Sequence, residues 1–410
     1  MTEQKSPADM ELSSFFETMK NEGARDLRAA AWADFSRQGL PNRRVESWHY
    51  TDLRAALRNV APLAAPPASA LEPLTLDGAA DGLTIQPLRE ALAAGDPEVL
   101  AALAPAGVGA DDAMVALNAA LMQDGHILRI APGARVEPPI ILGRLDPGGA
   151  RSSYSRSLVI VGEGARATIC ESYRPLAPSA AQENHALVIA LRAGAQIEHT
   201  ARIWPQDKVA ARVFSLLATL ERGASLNSFC LVEGGGLLRR QIFARLMGEQ
   251  ASVSFDGVSL LRGRAHADTT IVLNHEAPNG KSRERFRTIV DDDAVGVFQG
   301  KVRVAPGAQK TDGAMQSKAL LLSDGASMNN KPELEIFAND VVCGHGATCG
   351  RLDADQLFYL MARGLPRREA EALLVEGFAN EAMDGIADEA SRGGFASAVA
   401  AWLADREART

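Results

Sequence analysis

Cysteine is scarce in this sequence: Cys170, Cys230, Cys343 and Cys349 are the only four in 410 residues. That is too few for a disulfide framework. The segment Met1 to Asn21 carries Glu3, Asp9, Glu11 and Glu17 and no continuous apolar stretch, so it is not expected to act as a secretory signal. Free thiols in the cytoplasm are the expectation. Excess positive charge is also absent. A net charge of -8 and a pI near 5.5 remove the broad attraction that draws proteins to nucleic acid or anionic membrane. No apolar run approaches the length of a membrane span. There is no Gly-x-x-x-x-Gly-Lys-Ser/Thr phosphate loop, no Gly-x-Ser-x-Gly elbow and no Cys-x-x-Cys pair. Aromatic residues make up only 5%. What remains, 46% hydrophobic and 23% charged, is the composition of a soluble globular protein long enough for a large core and more than one unit.

Three regions differ in pattern. Residues 1–125 show helical spacing in Leu12, Phe15, Phe16 and Met19, then in Leu27, Ala31 and Phe35, with Gly39 and Pro41 as stops. A Pro/Ala-rich connector is expected from Ala61 to Pro73, and further alanine-rich helices at Pro87 to Leu103 and Asp111 to Met122. Trp48 and Tyr50 flank His49; packing of the helical domain on its neighbour explains them better than a cofactor site. Residues 126–350 alternate apolar and polar positions instead. Gly133-Ala134, Gly164-Ala165, Gly194-Ala195 and Gly223-Ala224 recur about 30 residues apart, with later copies at Gly307-Ala308, Gly325-Ala326 and Gly346-Ala347. Short strands at regular spacing without intervening helices point to a β-solenoid, with a β-sandwich as the competitor. Residues 351–410 are helical again, with stripes at Leu357, Leu360 and Met361, at Ala370, Leu373, Leu374, Gly377 and Phe378, and at Phe395, Val399, Trp402 and Leu403. These helices either cap the solenoid end or dock a partner.

Chemistry concentrates in Cys343-Gly344-His345-Gly346-Ala347-Thr348, where a thiol and an imidazole stand two residues apart among glycines. In an extended segment both emerge on one face and can point at one ion. Two ligands do not complete a tetrahedral site, so others must come from elsewhere in the fold or from a second chain. The glycines suggest that His345 sits on an exposed or interfacial turn. A buried thiol beside a hydrogen-bonded histidine is the plain alternative.

Gln299-Gly300-Lys301-Val302-Arg303-Val304, Gln309-Lys310-Thr311-Asp312-Gly313, Lys331-Pro332-Glu333-Leu334-Glu335-Ile336, the Cys343 segment and Gln356-Leu357-Phe358-Tyr359-Leu360 together resemble the SufB and SufD family of iron-sulfur cluster assembly proteins, in matching order. Gly346 after His345, the helical N-terminal region and the few cysteines place the resemblance on the SufD side. It implies a mainly β fold, a right-handed parallel β-helix flanked by N-terminal and C-terminal helical domains. It also implies a non-catalytic scaffold that pairs with a SufB-like paralogue through the β-helix, or with itself when isolated. A SufC-like ATPase would bind the C-terminal helices at Leu357, Phe358, Tyr359, Leu360, Leu373, Leu374 and Phe378. His345, and with less support Cys343, would ligate a transient iron-sulfur cluster shared with the partner. Flavin is associated with the family complex, but no Gly-x-Gly-x-x-Gly follows a strand here and no flavin site is placed. Cys349 departs from the family pattern and reads as a buried small hydrophobe.

A solenoid enzyme acting on carbohydrate is the alternative function. It would need paired carboxylates and aromatic platforms, which the low aromatic content disfavours. His266, Asp268, His275 and Glu276 form a possible metal or acid-base cluster, which turn hydrogen bonds explain better. Asp291, Asp292 and Asp293 read as an acidic turn without the spacing of a calcium loop.

Overall fold

The computed structural model describes residues 6–65, 74–75, 81–104, 109, 111–146, 149–175, 179–205 and 209–407. Ser6 opens α1 (Pro7–Met19) with a capping box to Asp9, and the expected stripe Leu12, Phe15, Phe16 and Met19 is buried. After α2 (Arg25–Gln38) come a 3₁₀ turn at Glu46–Trp48, α3 (Leu53–Ala56), and the short strands β1 (Leu74–Thr75) and β2 (Leu83–Pro87). The connector expected from Ala61 to Pro73 lies outside the described residues beyond 65. The stretch Pro87 to Leu103 forms two helices, α4 (Leu88–Ala94) and α5 (Pro97–Leu103). Gly95 takes φ +68°, and Asp96 caps a new start through the amides of Glu98 and Val99. The wholly buried α6 (Ala113–Leu121) is capped by Asp112.

Sixteen strands follow: β3 (His126–Ile130), β4 (Arg135–Asp146), β5 (Ser152–Val161), β6 (Arg166–Pro175), β7 (Gln182–Leu191), β8 (Gln196–Ile203), β9 (Ala211–Leu220), β10 (Ser225–Glu233), β11 (Leu237–Leu246), β12 (Ser252–Leu261), β13 (His266–His275), β14 (Lys281–Val290), β15 (Val295–Val304), β16 (Asp312–Leu321), β17 (Ser327–Ile336) and β18 (Val342–Gly350). Odd strands from β3 to β17 stack in one sheet, even strands from β4 to β18 in the other, and within this run every pairing is parallel. Each coil therefore gives one strand to each sheet, which is a parallel β-solenoid and not a sandwich. β1 and β2 pair antiparallel with β4 and β3 at the start of the stack.

The repeated Gly-Ala turns explain the register. Gly133, Gly164, Gly194 and Gly223 take φ of +71°, +66°, +67° and +67°, a region that strains other residues. Ala165, Ala195 and Ala224 behind them are fully buried. The amides of Gly164, Gly194 and Gly223 donate to the carbonyls of Ala193, Arg222 and Glu249 at 2.8–2.9 Å, so successive turns form a ladder. Gly346-Ala347 is not such a turn, because it lies inside β18. The inward rows, such as Leu246, Val304 and Phe298, build the solenoid core.

The helices cover the outer faces. Among the N-terminal ones, α1, α2 and α6 pack with Tyr154, Ala211 and Val213 of the odd-strand sheet. The C-terminal α7 (Ala354–Ala362), α8 (Arg367–Asn380) and α9 (Glu389–Glu407) follow β18. Val375, Ala379, Phe395, Val399, Trp402 and Leu403 meet Phe229, Leu231, Val258, Leu260, Ile289 and Leu320 on the even-strand sheet. α8 and α9 thus cover the side of the solenoid and not its end, where a cap was one expectation.

The Trp48 segment packs as expected. Its ring is buried, lies 3.8 Å from the Arg239 guanidinium, and donates to Asp112 at 3.1 Å. Arg239 and Asp268, both fully buried, pair at 2.6 Å, and Thr51 donates to Asp268 at 2.5 Å. His266 joins through Thr51 at 2.9 Å, while Glu276 pairs with Arg245. These residues fasten neighbouring elements together, so contacts between distant segments replace the local turn bonds expected for them. Removing Asp268 strands a buried guanidinium. Asp268→Ala is expected to cost about 3–5 kcal/mol in urea denaturation, well above the roughly 1 kcal/mol for Thr51→Ala.

Candidate metal-ligand edge and partner faces

β18 pairs with β16 on one side only, and β17 is likewise the last strand of its sheet. The solenoid therefore ends in two free edges. Along β18, Cys343 is opposite Gly313, His345 opposite Met315, Ala347 opposite Ser317 and Cys349 opposite Ala319. Met315 belongs to the core. The row Cys343, His345, Ala347, Cys349 consequently continues the inward row of the solenoid at its open mouth. Facing it on β17 are Met328, Asn330 and Leu334, in register with Gly296, Phe298 and Val302. His345 is exposed on this edge strand, which corrects its expected place on a turn, and Cys343 is half-buried.

Cα atoms two residues apart on a strand are about 7 Å apart and their side chains share a face, so one ion is within reach of both Cys343 and His345. Cys349, expected to be buried, is exposed on the same row. It lies six residues from Cys343, about 20 Å along the strand, and cannot complete the same mononuclear site. Among the described residues no group of three or more His, Cys, Asp or Glu is placed to hold a metal. The pair is an open half-site. Burial pushes the Cys343 thiol above its ordinary pKa against the opposing Gly313 amide, and Asp312 and Glu284 add to the rise. A bound metal ion must displace that proton.

Gly313 leaves space behind the thiol: a Cβ there would sit 3.5 Å from Cys343 Sγ and 3.3 Å from Ser282 Oγ. Glu284, two residues along the same row, is fully buried, and burial pushes its carboxyl up to about 8. Ser282 and the positive charge of Arg283 pull it down, and Asp256 adds to the rise. His275, also fully buried and with neither ring nitrogen partnered among the described residues, is pushed down to about 4. The two groups oppose each other in pH dependence. From its ordinary 4.5 to about 8, folded Glu284 keeps a proton that the unfolded chain releases, so stability falls as pH rises. His275 loses stability as pH falls from 6.5 towards 4. Below pH 6.5 the slopes offset; from 6.5 to 8 Glu284 alone acts. A loss on the order of 2 kcal/mol over that interval is expected by thermal denaturation. Glu284→Gln should flatten it.

The residues proposed for partner contact divide by burial. Phe358 and Tyr359 on α7 are 73% and 57% exposed and Leu373 on α8 is 49% exposed. Leu360 and Leu374 are half-buried, whereas Leu357 is buried and Phe378 packs against the helix-sheet core. Sequence periodicity marks the stripe but does not separate its inner from its outer half. Met361, 41% exposed, extends the outer half. Ile336, Phe337 and Val342 at the solenoid mouth are exposed as well, and went unnoticed in the sequence because an edge strand has the same alternation as an interior one. A groove of about 510 Å³ beside the Trp48 segment is lined by the carboxylates of Glu46, Asp111, Glu333 and Glu335 and by the cations of Arg239, Lys301, Arg303 and Lys331, and no flavin site is assigned.

No described helix is long and apolar enough to cross a membrane. The family model for the SUF system FeS cluster assembly SufBD core domain matches residues 144–378, from β4 through α8. The chain is 31% identical over 372 residues to the iron-sulfur cluster assembly protein SufD of Escherichia coli, covering 86% of this chain and 87% of that one. It is 33% identical over 286 residues to a SufBD family protein of Synechocystis, covering 66% and 62%, and 26% identical over 291 residues to SufD of Bacillus subtilis, covering 66% and 63%. The matched span contains the whole open edge with Cys343 and His345, and with the solenoid fold it establishes that the chain belongs to the SufB/SufD family of iron-sulfur cluster assembly proteins, on the SufD side.

Proposed function

We propose that this chain is a non-catalytic, cytoplasmic scaffold subunit that offers His345, with Cys343 beside it, to a nascent iron-sulfur cluster at an interface with a SufB-like paralogue. The observation that carries the reading is an incomplete thiol-imidazole pair on an edge strand that is paired on one side only. A free edge gains a partner by strand addition, and the exposed Ile336, Phe337 and Val342 add apolar contact. The same edge pairs with a second copy when the paralogue is absent. The cluster is cargo, completed by ligands from the partner and released.

The outer half of the α7–α8 stripe docks a SufC-like ATPase. Phe358 and Tyr359 are large, rigid and exposed, the features of interface anchors. This chain supplies no phosphate loop, so ATP is hydrolysed by the partner.

Co-expression with SufB-like and SufC-like subunits, each tagged in turn, tests the reading. A stable complex of all three is expected. The chain purified alone under anaerobic conditions should be colourless and free of ATPase activity. A lone subunit with stoichiometric iron and sulfide, or failure to join either partner, would contradict it.

A further inference from the structure

Cys349 has no part in the chemistry described so far. It stands exposed at the far end of the edge strand β18, on the same row as Cys343 and His345. That row faces the lumen. Cys343 packs against the solenoid core, whereas Leu320, the neighbour of the Ala319 that lies opposite Cys349, points outward to the C-terminal helices. Within one chain the two thiols are too far apart to share an ion, but their spacing becomes useful when the strand meets a copy of itself.

Cys343 and Cys349 lie three residues on either side of Gly346. An antiparallel pairing of β18 with β18 of a second copy, with the two-fold axis at Gly346, sets Cys343 opposite Cys349 of the second copy and His345 opposite its Ala347. The backbone suits this register. The Val342 amide donates to Thr311 of the preceding coil at 2.9 Å, so the even-numbered residues of β18 turn their backbone groups to β16 and the odd-numbered ones present theirs at the open edge. A two-fold at Gly346 opposes odd residues to odd residues, which exchange both hydrogen bonds. An axis between two residues would oppose odd to even and satisfy neither. Of the registers that match in this way, the one centred on Gly346 alone sets thiol against thiol. Gly346 carries no side chain at the axis, and Ala347 leaves room for the imidazole opposite it. Directly opposed side chains on an antiparallel pair have Cβ atoms about 5 Å apart, and diagonal neighbours stay within reach of a long side chain. Cys343, His345 and Cys349 of the second copy thus converge on one point inside the joined lumens, and the two-fold creates an equivalent point beside it.

We propose that two copies of this chain form two equivalent sites for a thiophilic divalent cation of the zinc class, each built from Cys343 and His345 of one copy and Cys349 of the other. The proposal rests on the edge pairing with a second copy put forward above and adds its register and its ligands. Two sulfurs and one imidazole nitrogen are a donor set that a zinc-class ion takes, with the fourth position left to water. On binding, each ion displaces one proton from each thiol to solvent, and the two thiolates balance its charge. No electron is transferred. A chain engaged by the paralogue has this edge covered and does not form the sites.

Anaerobic titration of the full chain, purified alone, with cobalt(II) tests this. Two ions per dimer are expected, each with the charge-transfer absorption of two thiolates. The Cys343→Ser and Cys349→Ser homodimers should each lose the two-thiolate band. In a mixed dimer of these two variants, isolated by two tags, one site holds both thiols and the other neither, so the band should return at one ion per dimer. A mixture that yields no such dimer, a mixed dimer without the band, a variant homodimer that keeps it, or the same binding by a monomer would overturn the proposal. Should either variant fail to fold, X-ray absorption of the zinc-loaded wild-type protein decides: two sulfur neighbours per ion are expected, and a single sulfur contradicts the site. Cluster maturation with the paralogue does not use Cys349, so Cys349→Ser should leave it unchanged, and failure of the mixed dimer overturns the second-copy site without touching the role of His345 in the complex.

Discussion

Replacing Phe358 and Tyr359 together by glutamate is expected to abolish capture of the ATPase subunit while leaving this chain folded and paired with its SufB-like partner. Both rings are largely exposed, so the folded chain loses little packing. Two aromatic anchors at an interface centre are worth about 2–4 kcal/mol each, enough for a loss of affinity of 100-fold or more. Deleting everything beyond Gly350 is a worse experiment. It would uncover Phe229, Leu231, Val258 and Leu260, which α8 and α9 now bury, and unfolding would then mimic loss of binding. The paired substitution separates the two, with pull-down as the readout and melting temperature as the control. Undiminished ATPase capture would remove α7 from the docking face.

The second large effect is expected from His345→Ala. The imidazole is exposed on an edge strand, so its loss should change stability by no more than about 0.5 kcal/mol. Assembly with both partners should remain normal in stoichiometry, and cluster maturation in cells should fail. Cys343→Ala is expected to do less harm to maturation. Its half-buried sulfur packs against the last coil, and a small cavity there costs more stability than loss of the imidazole. Normal maturation by His345→Ala would return the histidine to the status of an ordinary edge residue.

The solenoid was legible because its turns repeat chemically. Gly164-Ala165 and Gly194-Ala195 demand a left-handed backbone followed by a small buried side chain, and period-2 alternation between them leaves little else to build. Where later coils place Gln250 and Asn279 at positive φ, the same turns persist without their signature. Gly346-Ala347 shows the opposite, a signature without the turn, since glycine is also tolerated in an exposed edge strand. The thiol-imidazole pair was visible from spacing alone. Its surroundings were not, because Gly313, Ser282 and Glu284 reach it through inter-strand register, and register depends on coil lengths that vary along the chain. Cys349 is exposed for the same reason: Ala319 and Thr288, in register with it on the two preceding coils, are buried, and no further coil covers the last one. The C-terminal helices were found, but their seat on the sheet side depends on outward residues such as Phe229 and Leu260 that alternation cannot assign to a partner.

The most direct test of the shared edge is pulsed electron paramagnetic resonance on the complex carrying a reduced cluster, with ¹⁵N-histidine incorporated only into this chain before mixing with unlabelled partners. A ¹⁵N coupling to the cluster iron is predicted, lost in His345→Ala. A fully assembled, spectroscopically intact cluster without any ¹⁵N coupling would contradict the assignment of His345 as its ligand.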